Sequence, residues 1–197
     1  IQLHNPRYMG HQVAVPLPIS AVAGMAGALL NNGMAIYEMG PVASVLEKWI
    51  ISHFSEIIGN KNTDGFLTSG GTLATLTALL SVRQAILKND IWENGQEDKL
   101  AVMVSEQAHY SVDKAARIMG LGSKGVIKVP VDKEFKMQTD HLEPLFKKAE
   151  KDGLNVIAVV ANGCSTSTGT YDDLAAISRF CDSKKIWFHL DAAHGGG

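Results

Sequence analysis

Apolar positions along this chain follow two different periods, and the changes between them divide the chain into elements. Val42, Val45, Leu46, Trp49, Ile50, Phe54, Ile57 and Ile58 recur at helical spacing after Pro41, with Gly59 just beyond. A proline in the first turn and a glycine past the last predict a helix between them. The same period predicts helices over 72–88, 111–120 (ending at Gly120), 139–153 (amphipathic) and 172–184, the last with Asp172 or Asp173 near its N-terminus. Between them lie short runs that are apolar at every position: LAVMVS (100–105), NVIAVVA (155–161) and IWFHL (186–190), with GVIKVPVD (125–132) interrupted at Pro130. Strands apolar on both faces that alternate with helices predict an α/β fold, a mainly parallel sheet covered by helices. Ligands of such sheets bind at the carboxyl ends of the strands. SEQAH, NGCSTSTG and DAAHGGG therefore fall on one rim.

Composition narrows the class. Apolar residues make up 46% of the 197 and charged residues 19%, which suits a soluble globular protein. The net charge of −2 gives no electrostatic basis for binding nucleic acid or an anionic membrane. Cys164 and Cys181 lack CxxC partners, so neither a zinc site nor a disulfide framework is expected, and they read as reduced core thiols of a cytoplasmic protein. The longest apolar stretch, ISAVAGMAGALL (19–30), falls short of the roughly 18–20 residues of a membrane span, and its small residues suit tight helix packing. The first residues carry no signal-peptide pattern and no initiator Met, so the chain is expected to start inside a longer polypeptide.

The rim segments carry the candidate chemistry. TSGGT (68–72) precedes a helix directly: Gly70 and Gly71 permit close backbone approach, Thr72 adds a hydroxyl, and the helix start offers unpaired N–H groups. Two readings stand, a phosphate cradle without Walker character and an ordinary Ser/Thr helix cap with a glycine turn. Asp191 at a strand tip suits a ribose, a metal, a cationic nitrogen or a simple cap. His109 on the same rim suits function or hydrogen bonding in the core. His189, inside its strand, reads as a hydrogen-bonded core histidine. His194 lies in the glycine-rich tail, and Ser/Thr residues 165–168 supply hydroxyls.

In combination these segments are specific. PRYMGHQ, YEMGPVASVLE, TSGGTLATLTALL, SEQAHYSVDKAARIMG, STSTGTYDDL and IWFHLDAAHGGG, in that order, resemble the pyridoxal-phosphate-dependent group II amino-acid decarboxylases over essentially the whole chain. RYMGHQVAVPLPISA and NNGMAIYEMGP look most like the bacterial L-2,4-diaminobutyrate decarboxylase branch. The resemblance implies a fold-type I PLP-dependent transferase-like large domain, with residues 1–40 as a connecting segment and 41–197 as the first part of the cofactor-binding domain. It implies pyridoxal 5′-phosphate as cofactor and no metal. Gly70, Gly71 and Thr72 match the segment that holds the phosphate, and His109 matches the histidine stacked on the pyridine ring. Thr166 and Ala193 match residues against the ring, and Asp191 matches the aspartate paired with the pyridine nitrogen. His11, Gln12 and Glu38 fall in regions that approach substrate.

The same resemblance places the Schiff-base lysine beyond the DAAHGG stretch. Lys184 and Lys185 precede the strand and sit on the wrong rim, and Lys114 lies inside a helix. The chain is therefore expected to be part of a cytoplasmic homodimeric subunit with its active site at the interface. The implied reaction is decarboxylation of an L-amino acid, foremost L-2,4-diaminobutyrate to 1,3-diaminopropane. Glutamate or cysteine sulfinate as substrate, another reaction of the same fold, and a degenerate binding module are the alternatives.

Overall fold

The computed structural model describes residues 2–3, 5–9, 15, 17–60, 63–87 and 90–196. They form two compact units, Ile1–Leu67 and Thr68–Gly197.

The first unit holds two helices. Helix α1 (Pro18–Leu30) starts on a proline, ends on Asn31 in the left-handed conformation, and has no buried residue. A Cβ added at Gly24 or Gly27 would meet nothing within 4 Å, so the tight packing expected of its small residues is not made among the described residues. Helix α2 (Pro41–Ile58) has the expected bounds. Gly59, at φ +79°, donates its N–H to the carbonyls of Glu56 and Ser55, the left-handed stop that glycine adopts without strain. Only Ser55 of α2 is buried. The Glu47 carboxylate accepts the N–H of Leu67 at 2.8 Å and ties the end of the unit back to α2. No helix among the described residues is long and apolar enough to cross a membrane.

The second unit is the predicted parallel sheet. In chain order it comprises α3 (Gly71–Ile86), α4 (Ile91–Asn94), β1 (Leu100–Ser105), α5 (Tyr110–Ile118), β2 (Val126–Val129), α6 (Leu142–Lys151), β3 (Asn155–Asn162), α7 (Leu174–Lys184) and β4 (Trp187–Asp191). The strand order is β2-β1-β3-β4, all parallel, with Met103 opposite Ile127 and Val159, and Val159 opposite Phe188. Alternation along β1 feeds two cores. Ala101 and Met103 join Phe146 of α6 and Ile177 and Cys181 of α7, whereas Val102 and Val104 join Leu79 and Val82 of α3 and Val112 and Ala115 of α5. Full burial of each such aliphatic side chain contributes about 1.5–3 kcal/mol, so the sheet is secured from both faces.

Local chemistry sets the ends of the helices. Leu142, Phe146 and Ala149 form the buried stripe of α6, while Glu143 on its other side meets Lys184 at 2.8 Å and Lys147 at 3.2 Å. Asp173 caps α7 through the N–H of Ala176 at 3.0 Å. Burial pushes the Cys181 thiol up to about 11, as suits an inert core thiol. Cys164 departs from the core-thiol expectation and lies half-buried in the loop after β3. Two elements have no counterpart in the periodicity. Helix α4 is a single turn capped by Asp90, and after Pro130 the chain makes an antiparallel bridge between Val131 and Met137.

Candidate active site

Four segments meet at the carboxyl end of the sheet: the start of α3 and the exits of β1, β3 and β4. Helix α3 opens on Gly70 with no side-chain cap and no acidic residue in its first turn, which removes the ordinary-cap reading. The carbonyl of Gly70 accepts from Leu73 and Ala74, and the Thr68 hydroxyl donates to it at 3.0 Å. Among the described residues, the N–H groups of Gly71 and Thr72 find no protein acceptor. A cavity of about 490 Å³ opens beside them, lined also by Ser69 and Lys114. Gly71 is a contact point, since a Cβ there would come 3.1 Å from the Cβ of Ala193.

The exit of β4 supplies the carboxylate. Asp191, half-buried, is the last residue of the strand and pairs in register with Asn162 of β3. Its carbonyl accepts the N–H of Gly163 at 2.8 Å, and its Oδ1 accepts the N–H of Ala193 at 3.2 Å. One turn therefore fixes Asp191 and presents Ala193 to Gly71. Gly195 closes the turn, because a Cβ there would meet the Cys164 nitrogen at 2.5 Å and the Gly163 carbonyl oxygen at 2.7 Å. His189 lies two residues before Asp191, hence on the same face of the strand. Burial lowers its pKa and the Asp191 charge opposes that shift. Its ring makes no hydrogen bond among the described residues, so the expected core hydrogen bond is absent.

The exit of β1 supplies the imidazole. His109 is the N-cap of α5: its Nδ1 accepts the N–H of Ser111 at 3.3 Å and lies 2.9 Å from the Ser111 hydroxyl. Acceptance at Nδ1 places the proton of the neutral ring on Nε2. Tyr110 packs on the ring with centroids 4.2 Å apart. The cap thus fixes a half-buried ring on the rim.

The exit of β3 is a loop tied at its base. Asp172, only 5% exposed, accepts the N–H of Asn162 and the N–H of Met137, each at 2.8 Å. Burial raises its pKa, against the pull of those hydrogen bonds. Within the loop, Ser165 and Ser167 meet at 3.2 Å, and the Ser167 hydroxyl reaches Gln107 Oε1, beside His109, at 3.4 Å. Thr166 is exposed between them. The Tyr171 hydroxyl donates to the Gly195 carbonyl at 3.3 Å, and the neighbouring Cys164 raises its pKa.

A sequence profile, the pyridoxal-dependent decarboxylase conserved domain, matches residues 4–197. The chain belongs to the pyridoxal-dependent decarboxylase family. Glutamate decarboxylase of Drosophila melanogaster is 33% identical over 200 residues, covering 100% of this chain and 39% of that protein. Among solved structures, the glutamate decarboxylase domain of a diaminobutyrate-pyruvate transaminase and L-2,4-diaminobutyrate decarboxylase from Vibrio parahaemolyticus superposes with a TM-score of 0.92. It is 28% identical and is matched over 98% of this chain and 44% of its own. Mouse CSAD in apo form gives a TM-score of 0.88 at 29% identity, over 93% of this chain and 39% of its own. The chain thus spans about 39% of the length of the curated relative it matches.

The decarboxylase family's cofactor fits the residues present. Two N–H groups without acceptors at an uncapped helix start suit a phosphate, and a strand-tip carboxylate held by a backbone N–H suits a protonated ring nitrogen. The fold brings Gly70, Gly71, Thr72, Ala193 and Asp191 into one connected set. It stands His109 and Thr166 on the loops of the same rim, joined through Gln107 and Ser167. Glu38 belongs to the other unit, exposed in the short turn Tyr37–Met39, and His11 and Gln12 lie outside the described residues. Asp172, Gly195 and Lys114 also border this rim, and their sequence context alone does not mark them for it. The doubled Asp172-Asp173 was the one available signal, since one aspartate suffices for a cap.

Proposed function

We propose that the subunit carrying these residues is an amino-acid decarboxylase that uses pyridoxal phosphate to release CO2 from an L-amino acid and form the amine. The connection from Asp191 through Ala193 to Gly71 carries this reading, because it joins a nitrogen-binding carboxylate to a phosphate cradle through one small residue. Bound at this rim, pyridoxal phosphate supplies an electron sink for the pair left when the carboxylate departs as CO2. The Asp191 carboxylate would hold a proton on the ring nitrogen. The amides of Gly71 and Thr72, with the Thr72 hydroxyl, bind the phosphate. His109, locked by Ser111, would orient the ring, and the small side chain of Ala193 would leave room for it.

For substrate we propose L-2,4-diaminobutyrate, giving 1,3-diaminopropane, with glutamate and cysteine sulfinate as the competing candidates. Likeness to the domain of the Vibrio diaminobutyrate-pyruvate transaminase and L-2,4-diaminobutyrate decarboxylase supports this choice, as does Glu38, an exposed carboxylate suited to a distal ammonium. A homodimer is proposed on the apolar faces of α1 and α2, where Leu29, Trp49 and Ile58 are among the exposed residues. The test incubates the intact, cofactor-loaded subunit with each of the three amino acids and measures CO2 and amine. Release from L-2,4-diaminobutyrate at the highest kcat/KM is expected. Preference for glutamate would overturn the substrate, and amine formation from none of the three would overturn the reading as stated.

A further inference from the structure

The cavity beside the start of α3 has a lining without a carboxylate, and its one titratable group is Lys114. Lys114 lies on α5, whose buried Val112 and Ala115 pack in the same core as Leu79 and Val82 of α3. Lys114 lines the cavity together with Leu73 and Leu76 from the first turns of α3. The acid next to it, Asp113, is engaged by Lys128 at 3.2 Å. Lys114 itself makes no ion pair among the described residues. The α3 start adds charge of the same sign, with two N–H groups lacking acceptors and no acidic residue in its first turn. Helix starts ordinarily attract an acid; this one shares its cavity with Lys114, and none of the described residues lining it carries a carboxylate.

We infer that Lys114 is a further cofactor-binding residue, a cation that strengthens retention of the phosphate dianion without bonding covalently to the cofactor. The inference rests on the reading that pyridoxal phosphate occupies this rim. His109, Asp191 and Ala193 do not line this cavity, so Lys114 acts at the phosphate end and leaves the ring chemistry to them.

The experiment titrates the intact apo-subunit with pyridoxal 5′-phosphate and, separately, with pyridoxal, following binding by absorbance. Lys114→Gln is expected to raise the Kd for pyridoxal phosphate about fivefold, the upper end for a solvent-exposed charge interaction, and to leave pyridoxal unchanged. Lys114→Arg is expected to restore affinity to within about twofold, since it keeps the charge. The difference between wild type and Lys114→Gln is expected to shrink in about 0.5 M salt, where screening acts within roughly 4 Å. An unchanged Kd in Lys114→Gln, or equal losses for the two ligands, would overturn the inference. Failure of the wild type itself to bind pyridoxal phosphate would overturn the cofactor reading instead.

Discussion

Helices α2 and α3 are built from similar residues and end in opposite situations. Both mix leucine, valine and isoleucine with small polar residues. In α3, Leu79 is 0% exposed and Val82 1%, because the sheet and α5 lie beneath them; in α2, Trp49 is 65% exposed and Ile58 73%. The contrast shows what periodicity measures. An apolar stripe states that a helix face requires cover, whereas the source of the cover is a property of topology. The second unit carries its own cover and the connected site residues. The first offers faces suited to an interface, which is the physical support for the proposed dimer.

The largest expected effect tests the idea that the chemistry resides in the second unit. Asp191→Asn is expected to lower kcat by at least about a hundredfold, near 2.7 kcal/mol at the transition state, with cofactor still bound by absorbance. Glu38→Gln, in the first unit, is expected to change KM for a diamino acid several-fold and kcat little. Equal damage from the two would erase the contrast. Next comes Gly195→Ala. Its Cβ would collide with backbone atoms of Gly163 and Cys164, so about 1–3 kcal/mol of stability is expected to be lost. Urea unfolding measures this, and an unchanged midpoint would show that the turn is slack. Trp49→Ser with Phe54→Ser is expected to shift the protein from dimer to monomer in sedimentation while moving the melting temperature by only a few degrees. A dimer that survives would place the interface elsewhere.

The smallest effect is pH-linked. The folded state depresses the His189 pKa, so its contribution to stability is full above the ordinary value of 6.5 and is lost as pH falls through the lowered folded value. His189→Gln is expected to flatten the acid side of the stability curve, read by urea titration between about pH 5 and 7. A curve of unchanged slope would assign the acid sensitivity to other groups.

The sheet was legible because β1 and β3 are buried on both faces, so their residues are apolar throughout and require no partner to be identified. The candidate site was legible in the order of its motifs: residue type alone left Gly70 and Gly71 before a helix, Asp191 at the end of an apolar run and His109 beyond another with several uses each, and the family resemblance chose among them. The remaining features depend on contacts between distant segments. Nothing local distinguishes Gly195 from its neighbour Gly196, since its requirement comes from Gly163 and Cys164, about thirty residues earlier. Lys114 is one exposed lysine among several until α5 packs beside α3. Helix α4 is too short for any period to register, and its capping residue Asp90 is its main signature.

The clamp at Asp172 has a consequence for how sites of this kind diversify. The chain leaves β3 at Asn162 and returns at Asp172, and the two residues are bonded in both directions. The Asn162 N–H donates to the Asp172 carboxylate at 2.8 Å, and the Asp172 N–H donates to the Asn162 carbonyl at 3.2 Å. Residues 163–171 thus hang from a base closed between β3 and α7, and the ends of the loop, Gly163 and Tyr171, bond Asp191 and Gly195. Once the ends are joined, doubling a flexible loop costs only about 0.6 kcal/mol. The stretch between those ends, which carries Thr166 and Ser167, can therefore change in length at small cost while the strand that aligns Asp191 keeps its register.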